Sequence, residues 1–283
     1  MRNSLFVLIA LTLVAGLAVA PAAADEIGKQ ADAVVQANGA TIVTLRIVLD
    51  LEIMGQSREQ RIEGRGVVVA GSGLIMAPLT AISPTVNARG RDGRQLPVKI
   101  TPADLKVVFE KDEKEHDAFV VVKDSKRGLV FLQLKDFKAT DRVLKVTDFS
   151  KSVKPAIGDQ VVTPLRLAKG FDYATCFSIG RIIGKVKKPR KALLTDRSSV
   201  VGTPIFTLDG KLIGCHGRMK SGIAEGSGAN RNAAGQAVIF DAKEINGVIK
   251  QALKKAAEGE PASDDEEEEE EEEETPEKEE TPK

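Results

Sequence analysis

Most of the chain, from Thr41 to Phe240, is a series of short apolar or alternating runs. Branched residues dominate these runs, as in TIVTLRIVLDLEIM, GLIMAP, AFVVVK and KLIGCHG, and Gly, Pro, Asn and Asp separate them at short intervals. Many short strands with turn residues between them are typical of an all-β barrel or sandwich. The sequence therefore predicts a β body with few aromatic anchors, since the chain has ten Phe, one Tyr and no Trp.

Helical patterns occur only at the two ends of this body. The segment EIGKQADAVVQ predicts one short helix before the first strand. The segment DAKEINGVIKQALKKAAEG, residues 241–259, predicts an amphipathic helix that begins with a capping box of Asp241 and Glu244 and ends at Gly259 and Pro261. Its apolar face, which we expect to pack on the β body, consists of Ile245, Val248, Ile249, Ala252 and Leu253.

The first 24 residues have the pattern of a cleavable export signal. A basic start at Arg2 precedes an apolar run and the small-residue site Ala22-Ala23-Ala24. The alternative is an N-terminal membrane anchor, but the apolar run is shorter than the roughly 20 residues that a span needs. We expect a secreted or periplasmic protein with no stable membrane insertion after cleavage.

Outside the cytoplasm, Cys176 and Cys215 could form a disulfide or remain two buried thiols. Without a CxxC motif they predict no metal site.

The zero net charge hides a strong asymmetry. Of the 41 acidic and 41 basic residues, 14 acidic and two basic ones lie in residues 264–283. Residues 1–263 therefore hold 27 acidic and 39 basic residues, a balance of +12. Because this tail has no apolar residue to bury, residues 259–283 are predicted to be disordered. The tail could solvate the protein, bind divalent cations weakly, or fold back over the basic body and screen it from polyanions.

The β body and its terminal helix contain two basic clusters, RIIGKVKKPRK at 181–191 and LKKAA in the predicted helix. They are not interleaved with aromatic residues, so base stacking and nucleic-acid binding are not expected. They are either a solvated loop and helix face or a surface for a polyanion such as an acidic wall polymer. The glycine-rich GRGVVVAGSG lies between two strand patterns, which indicates a hairpin and not a phosphate-binding loop. No cofactor is expected.

Three stretches in the body carry a family resemblance: GRGVVVAGSGLIMAPLTAIS, HDAFVVVK and PIFTLDGKLIG. In order and spacing they resemble the trypsin-like serine peptidases of the chymotrypsin fold, closest to the exported HtrA-type enzymes. The resemblance covers Thr41 to Ala242. It implies two antiparallel six-stranded β-barrels, at 25–140 and at 141–258 with the terminal helix, and an active cleft between them.

The resemblance places the catalytic positions on residues that cannot perform the family's chemistry. The histidine position falls on Thr80, the aspartate position on Asp117 and the nucleophile position on Val201, while the oxyanion-hole positions are Ser199 and Val201. The triad mechanism needs a hydroxyl beside an imidazole, and valine has no nucleophilic atom. The resemblance thus implies a pseudoprotease that acts as a non-catalytic binding or scaffold protein for a peptide or polyanion.

The alternative is an active exported serine-type endopeptidase that uses displaced residues, Ser199 with His216. The only other histidine, His116, adjoins Asp117, and adjacent strand residues point to opposite faces. Cys215 is a poor partner for His216 for the same reason. The strand that in the family runs beside the specificity pocket here carries His216 and Gly217.

Overall fold

The structure, a computed structural model, describes residues 20–86, 88–89, 93–109, 114–140, 142–219 and 236–259. The predicted export signal lies outside the described residues except for its last five, which begin a helix. The predicted disordered tail also lies outside them, apart from Gly259.

Twelve strands and two α-helices make up the described part. In chain order they are α1 (Ala20–Asn38), β1 (Ile42–Ile53), β2 (Gln56–Ala70), β3 (Leu74–Pro78), β4 (Val98–Val108), β5 (Glu115–Asp124), β6 (Leu129–Leu134), β7 (Gln160–Arg166), β8 (Thr175–Val186), β9 (Ala192–Thr195), β10 (Pro204–Thr207), β11 (Leu212–Met219), β12 (Gln236–Asp241) and α2 (Ala242–Glu258). Short 3₁₀ turns lie at Gly39–Thr41, Leu79–Ala81 and Lys169–Phe171.

Strands β1–β6 close into an antiparallel barrel in the order β1-β2-β3-β6-β5-β4. Alternation along β1 directs Leu45, Ile47 and Leu49 into the barrel, where they join a fully buried apolar cluster. The predicted hairpin GRGVVVAGSG is confirmed, because β2 and β3 pair through it.

Strands β7–β12 close into a second antiparallel barrel in the order β7-β8-β9-β12-β11-β10. Counted from its own first strand, this barrel has the same strand order as the first. Its interior is smaller and holds Val161, Ile182, Ile205, Ile213 and Ile239. The predicted all-β class with two six-stranded antiparallel barrels is therefore confirmed.

A third apolar cluster, larger than either barrel interior, lies between the barrels and under the helices. It combines Met76 and Phe131 of the first barrel with Phe206 and Phe240 of the second. Helix α1 adds Ala31 and Val34, and helix α2 adds Ile245 and Ile249. Apolar burial of this extent holds the two barrels and both helices together as one body.

The two helices pack across the boundary between the predicted units. The strands of each barrel lie within the predicted 25–140 and 141–258, but α1 contacts β7 and β8 of the second barrel. The hydrogen bond from Arg166 Nη2 to the Gly39 carbonyl, 2.8 Å long, fixes the end of α1 there. Helix α2, in turn, contacts β5 and β6 of the first barrel as well as β11 and β12.

The amphipathic helix α2 is confirmed, with a different cap. The side chain of Asp241 accepts a hydrogen bond from the backbone N–H of Lys243 at 2.8 Å, and Gly259 ends the helix with a φ of 73°. Glu244 does not complete a capping box, because it pairs with Arg127 of the first barrel. Within the described ranges, no helix combines the length and apolar character needed to cross a membrane.

Both cysteines are free thiols. Cys215 is fully buried in the cluster between the barrels, whereas Cys176 is partly buried on β8. Burial raises the pKa of each thiol, most strongly that of Cys215, so neither is a ready thiolate near neutral pH. Of the two alternatives left open by the sequence, the structure has the unbonded pair.

Candidate functional site

The loop 200–203 of the second barrel is pressed against the end of β3 in the first. Gly202 has a φ of 83°, and a Cβ there would lie 3.3 Å from the carbonyl carbon of Ala77. The Gly202 N–H donates to the His216 carbonyl at 2.7 Å, and the His216 N–H donates to the Thr203 carbonyl at 2.9 Å. Glycine is therefore required here both by the backbone conformation and by the close approach of the two barrels.

The turn between β5 and β6 closes the same corner from the other side. Its Gly128 carbonyl accepts from the Leu79 N–H at 2.8 Å, and its Arg127 carbonyl accepts from the Arg218 N–H at 3.0 Å. One turn thus bonds to the backbone of both barrels. The partly buried Val201 lies beside it, with Cγ1 3.9 Å from the position that a Cβ would take at Gly128.

The structure brings two of the three predicted triad positions to this corner. Thr80 is exposed in the 3₁₀ turn that follows β3, and Val201 lies in the loop against the end of β3. Neither side chain offers a base, and only the threonine has a hydroxyl. Within the loop, the amide of Gly202 is already bonded to the His216 carbonyl.

The third position, Asp117, is not brought there. Pro78 at the end of β3 pairs with Leu129 at the start of β6, whereas Ala118 of β5 pairs with Leu134 at the far end of β6. Five residues of strand separate these two points by ~17 Å. Asp117 is exposed beside Lys106 of β4, so it cannot orient a group at Thr80.

Ser199 and His216, the displaced pair suggested by the sequence, form no hydrogen bond with each other in the structure. His216 faces the inside of the second barrel at 3% exposure, and its Nε2 lies 3.0 Å from Thr163 Oγ1. Burial lowers the pKa of His216 to about 4, so the ring is neutral at pH 7. The Ser199 hydroxyl is buried and has no hydrogen-bond partner among the described residues. Its hydroxyl therefore has no base to activate it.

The predicted pocket at His216 and Gly217 is filled by protein. A Cβ at the buried Gly217 would lie 2.5 Å from the ring of Phe240 on the neighbouring β12. The glycine therefore admits an aromatic side chain of the protein itself, and His216 points away into the barrel.

A different surface combines exposed basic residues of two elements, and we call it the cationic belt. It consists of the β8–β9 turn and the solvent face of α2, with Lys187, Lys188, Arg190, Lys191, Lys243, Lys250 and Lys254. Arg190 joins the two parts, because its Nη1 lies 3.7 Å from Glu244 Oε1 on α2. Apart from the half-buried Arg190, all of these residues are exposed.

The lysines of α2 form a stripe along the whole helix. Lys243, Lys250 and Lys254 are seven and four residues apart, which at ~100° per residue places them within ~40° of one another. They lie opposite the buried face of Ala242, Ile245, Ile249 and Ala252. None of the three lysines forms an ion pair with another described residue.

The belt contains two acids, Glu244 and the exposed Glu258, and the first of them pairs with the mostly buried Arg127. Arg127 contacts Glu244 Oε1 through Nε at 2.9 Å and Nη2 at 2.7 Å, and it contacts Asp124 Oδ2 through Nη1 at 2.8 Å. Its guanidinium also lies 5.9 Å from the ring centroid of Phe240. Burial lowers the pKa of Arg127, but the two carboxylates outweigh it and raise the pKa above its usual value. The belt therefore keeps its positive charge.

Sequence reasoning identified the basic clusters but not this arrangement. The 181–191 cluster and the α2 lysines were separate patterns in the chain, and the sequence gives no sign that Glu244 bridges them. A partly buried acid that lies 117 residues from its arginine leaves no local signal in the sequence. In the described part of the chain, no group of three or more His, Cys, Asp or Glu side chains is placed to hold a metal ion.

Neither protein-family models nor curated proteins give a match at a significant level. The resemblance to trypsin-like peptidases therefore stays a prediction from the three sequence stretches.

Proposed function

We propose that the protein is an exported, non-catalytic binding protein on a trypsin-like scaffold, and that its cationic belt holds a linear polyanion such as an acidic wall polymer. The observation that carries the proposal is the belt itself, in which seven basic side chains outnumber two acids and one of those acids, Glu244, is paired with Arg127 and Arg190. A surface of one sign concentrates and steers ligands of the opposite sign.

The choice of a polyanion over a peptide follows from the closed shape of the body. Extended peptides are commonly bound by adding a strand to an open sheet edge, and both described barrels are closed. The corner between the barrels is filled by Val201, Gly202 and Phe240. The belt has no aromatic residue on which bases could stack, so a saccharide or phosphate polymer fits it better than a nucleic acid.

Three features support a non-catalytic role on this scaffold. The two barrels share one strand order, in keeping with the two similar barrels that the resemblance implies. The predicted histidine and nucleophile positions meet at the corner as Thr80 and Val201, without a base or a nucleophile. The carboxylate of Asp117 lies ~17 Å along the sheet from that corner.

The binding proposal is tested with the full chain and inorganic polyphosphate as the probe. Replacing Lys243, Lys250 and Lys254 together with glutamine is expected to weaken binding ~10-fold or more at low ionic strength, because three unscreened charges are lost. High salt should remove most of the wild-type affinity. Fluorescence anisotropy with labelled polyphosphate measures both effects.

The matched control replaces Arg58, Arg61 and Lys99 with glutamine. These residues are exposed on β2 and β4 of the first barrel, and the net charge changes by the same amount. The control is expected to bind as the wild type does. An equal loss in both triple variants would mean that overall charge, and not the belt, determines binding, and the proposal would fail.

The endopeptidase alternative has its own test. Wild-type protein and Ser199→Ala are incubated with casein and with a serine-reactive fluorophosphonate. We expect neither cleavage nor labelling of either protein, because the Ser199 hydroxyl has no neighbouring base. Cleavage or labelling that disappears in Ser199→Ala would overturn the non-catalytic assignment.

A further inference from the structure

The lysine stripe of α2 lies on the helix that leads directly to the point at which the described chain ends. Gly259, the last described residue, follows α2 directly and has a left-handed conformation. Its N–H donates to the Ala256 carbonyl at 3.3 Å. Such a C-terminal cap reverses the direction of the chain. Five residues later the sequence has eleven consecutive acidic residues, 264–274. The acidic run and the stripe are therefore neighbours in the chain.

We propose that residues 264–274 dock on the lysine stripe of α2 and compete there with the external polyanion. This inference rests on the proposed function, since it concerns the regulation of the same belt. The docked segment would make the protein its own competitive inhibitor, released by a polyanion of higher charge density or by salt.

The lengths of residues 260–263 and of the acidic run are compatible with docking of the acidic run along α2. Residues 260–263 span up to ~13 Å when extended, while Lys254 lies ~8 Å back along the helix axis from Gly259. The nine glutamates Glu266–Glu274 then extend over ~30 Å. Helix α2, with 17 residues, is ~25 Å long, so the acidic run is long enough to reach Lys243 and the β8–β9 turn.

The charges agree as well. Lys243, Lys250 and Lys254 lack an ion-pair partner among the described residues, and the exposed Glu258, one turn after Lys254, is the acid of α2 beside the stripe. The tail is attached next to the stripe, so its effective concentration there is in the millimolar range or above. A separate polyanion must exceed that local competition before it binds. Weak individual pairs suffice, because many of them act on one tethered segment.

The test uses the full chain with Glu266–Glu274 all changed to glutamine. This variant is expected to bind polyphosphate ~10-fold more tightly than wild type at low salt, and the two affinities should converge at high salt as screening removes the competition. Changing the same nine residues to aspartate keeps the charge and is the matched control, with wild-type affinity expected. An affinity in the glutamine variant equal to that of wild type would overturn the competition.

A second measurement reports docking without any polyanion. Lysine acetylation followed by mass spectrometry should be slower at Lys243, Lys250 and Lys254 in wild type than in the glutamine variant, and equal at Lys99 in both. Equal rates at the three stripe lysines would overturn tail docking. If no form of the chain binds polyphosphate while the stripe is still protected, the proposed function fails and the intramolecular contact stands.

Discussion

At the scale of single residues, the imidazole of His216 is a buried structural group of the second barrel. Its Nε2 is held by the Thr163 hydroxyl at 3.0 Å inside the second barrel, away from Ser199. The ring lies among apolar barrel residues such as Ile239, which pairs with it across β11 and β12. A general base must be both accessible and able to accept a proton near the working pH, and burial denies His216 both properties.

The lowered pKa of His216 predicts a stability that depends on pH. The unfolded chain binds a proton near pH 6.5, whereas the folded chain does so only near pH 4, so unfolding takes up a proton between these values. Stability should therefore fall as the pH is lowered from 6.5 to 4, by up to about 3 kcal/mol from this group. Urea unfolding of wild type and His216→Asn at several pH values measures it.

The comparison isolates the histidine because asparagine does not titrate and other groups change alike in both proteins. The difference in unfolding free energy between wild type and variant should shift in favour of the variant as the pH falls. A difference that stays constant between pH 7 and 4 would mean that His216 is protonated in the folded state, contrary to its burial.

At the scale of elements, the Arg127 cluster ties helix α2 to the first barrel. Arg127 is 14% exposed and shares its guanidinium between Asp124 of β5 and Glu244 of α2. The same residue presents its carbonyl to Arg218 of β11, so one turn fixes a helix and a strand of the second barrel. The position of the lysine stripe relative to the β8–β9 turn depends on this contact.

Removal of Arg127 should be strongly destabilising. Arg127→Met leaves the buried Asp124 carboxylate without its cation, which costs about 3 kcal/mol of unfolding free energy, since a single partner removed from a buried pair leaves an uncompensated charge. Lys211→Met is the control, because the Lys211–Asp209 pair is equally close at 2.7 Å but mostly exposed. Urea unfolding at pH 7 should show little change in the control. Equal losses in both variants would contradict a special role for the Arg127 cluster.

The sequence predicted the elements better than their contacts. The alternation of TIVTLRIVLDLEIM and the 3.6-residue period of 241–259 are local, and both correspond to the observed β1 and α2. The pairing of Glu244 with Arg127 is not local, so the capping box predicted for Glu244 was wrong. Asp117 shows the same limit, because a short sequence pattern does not tell which strand will pair with the end of β3.

At the scale of the whole molecule, the largest apolar cluster belongs to neither barrel alone. It lies between the barrels and includes residues of both helices. Two units that share a buried core of this kind are not expected to open independently. The protein should therefore unfold in a single cooperative transition.

Calorimetry tests this expectation, together with the rate of thiol labelling at the buried Cys215 as a function of urea. The calorimetric and van't Hoff enthalpies should agree, and Cys215 should become reactive at the same urea midpoint as the loss of β structure. Two separate transitions, or early labelling of Cys215, would show that the barrels come apart before either unfolds.

The crossing of the two helices has a consequence for how the chain acquires its structure. Helix α1 precedes the first barrel but packs on the second, and α2 follows the second barrel but packs on both barrels. During synthesis the part of the first barrel that contacts α2 therefore stays uncovered until residue 258 has emerged. Helix α2, the last helix to be synthesised, completes the packing around the first barrel. The native packing is therefore completed only late in synthesis.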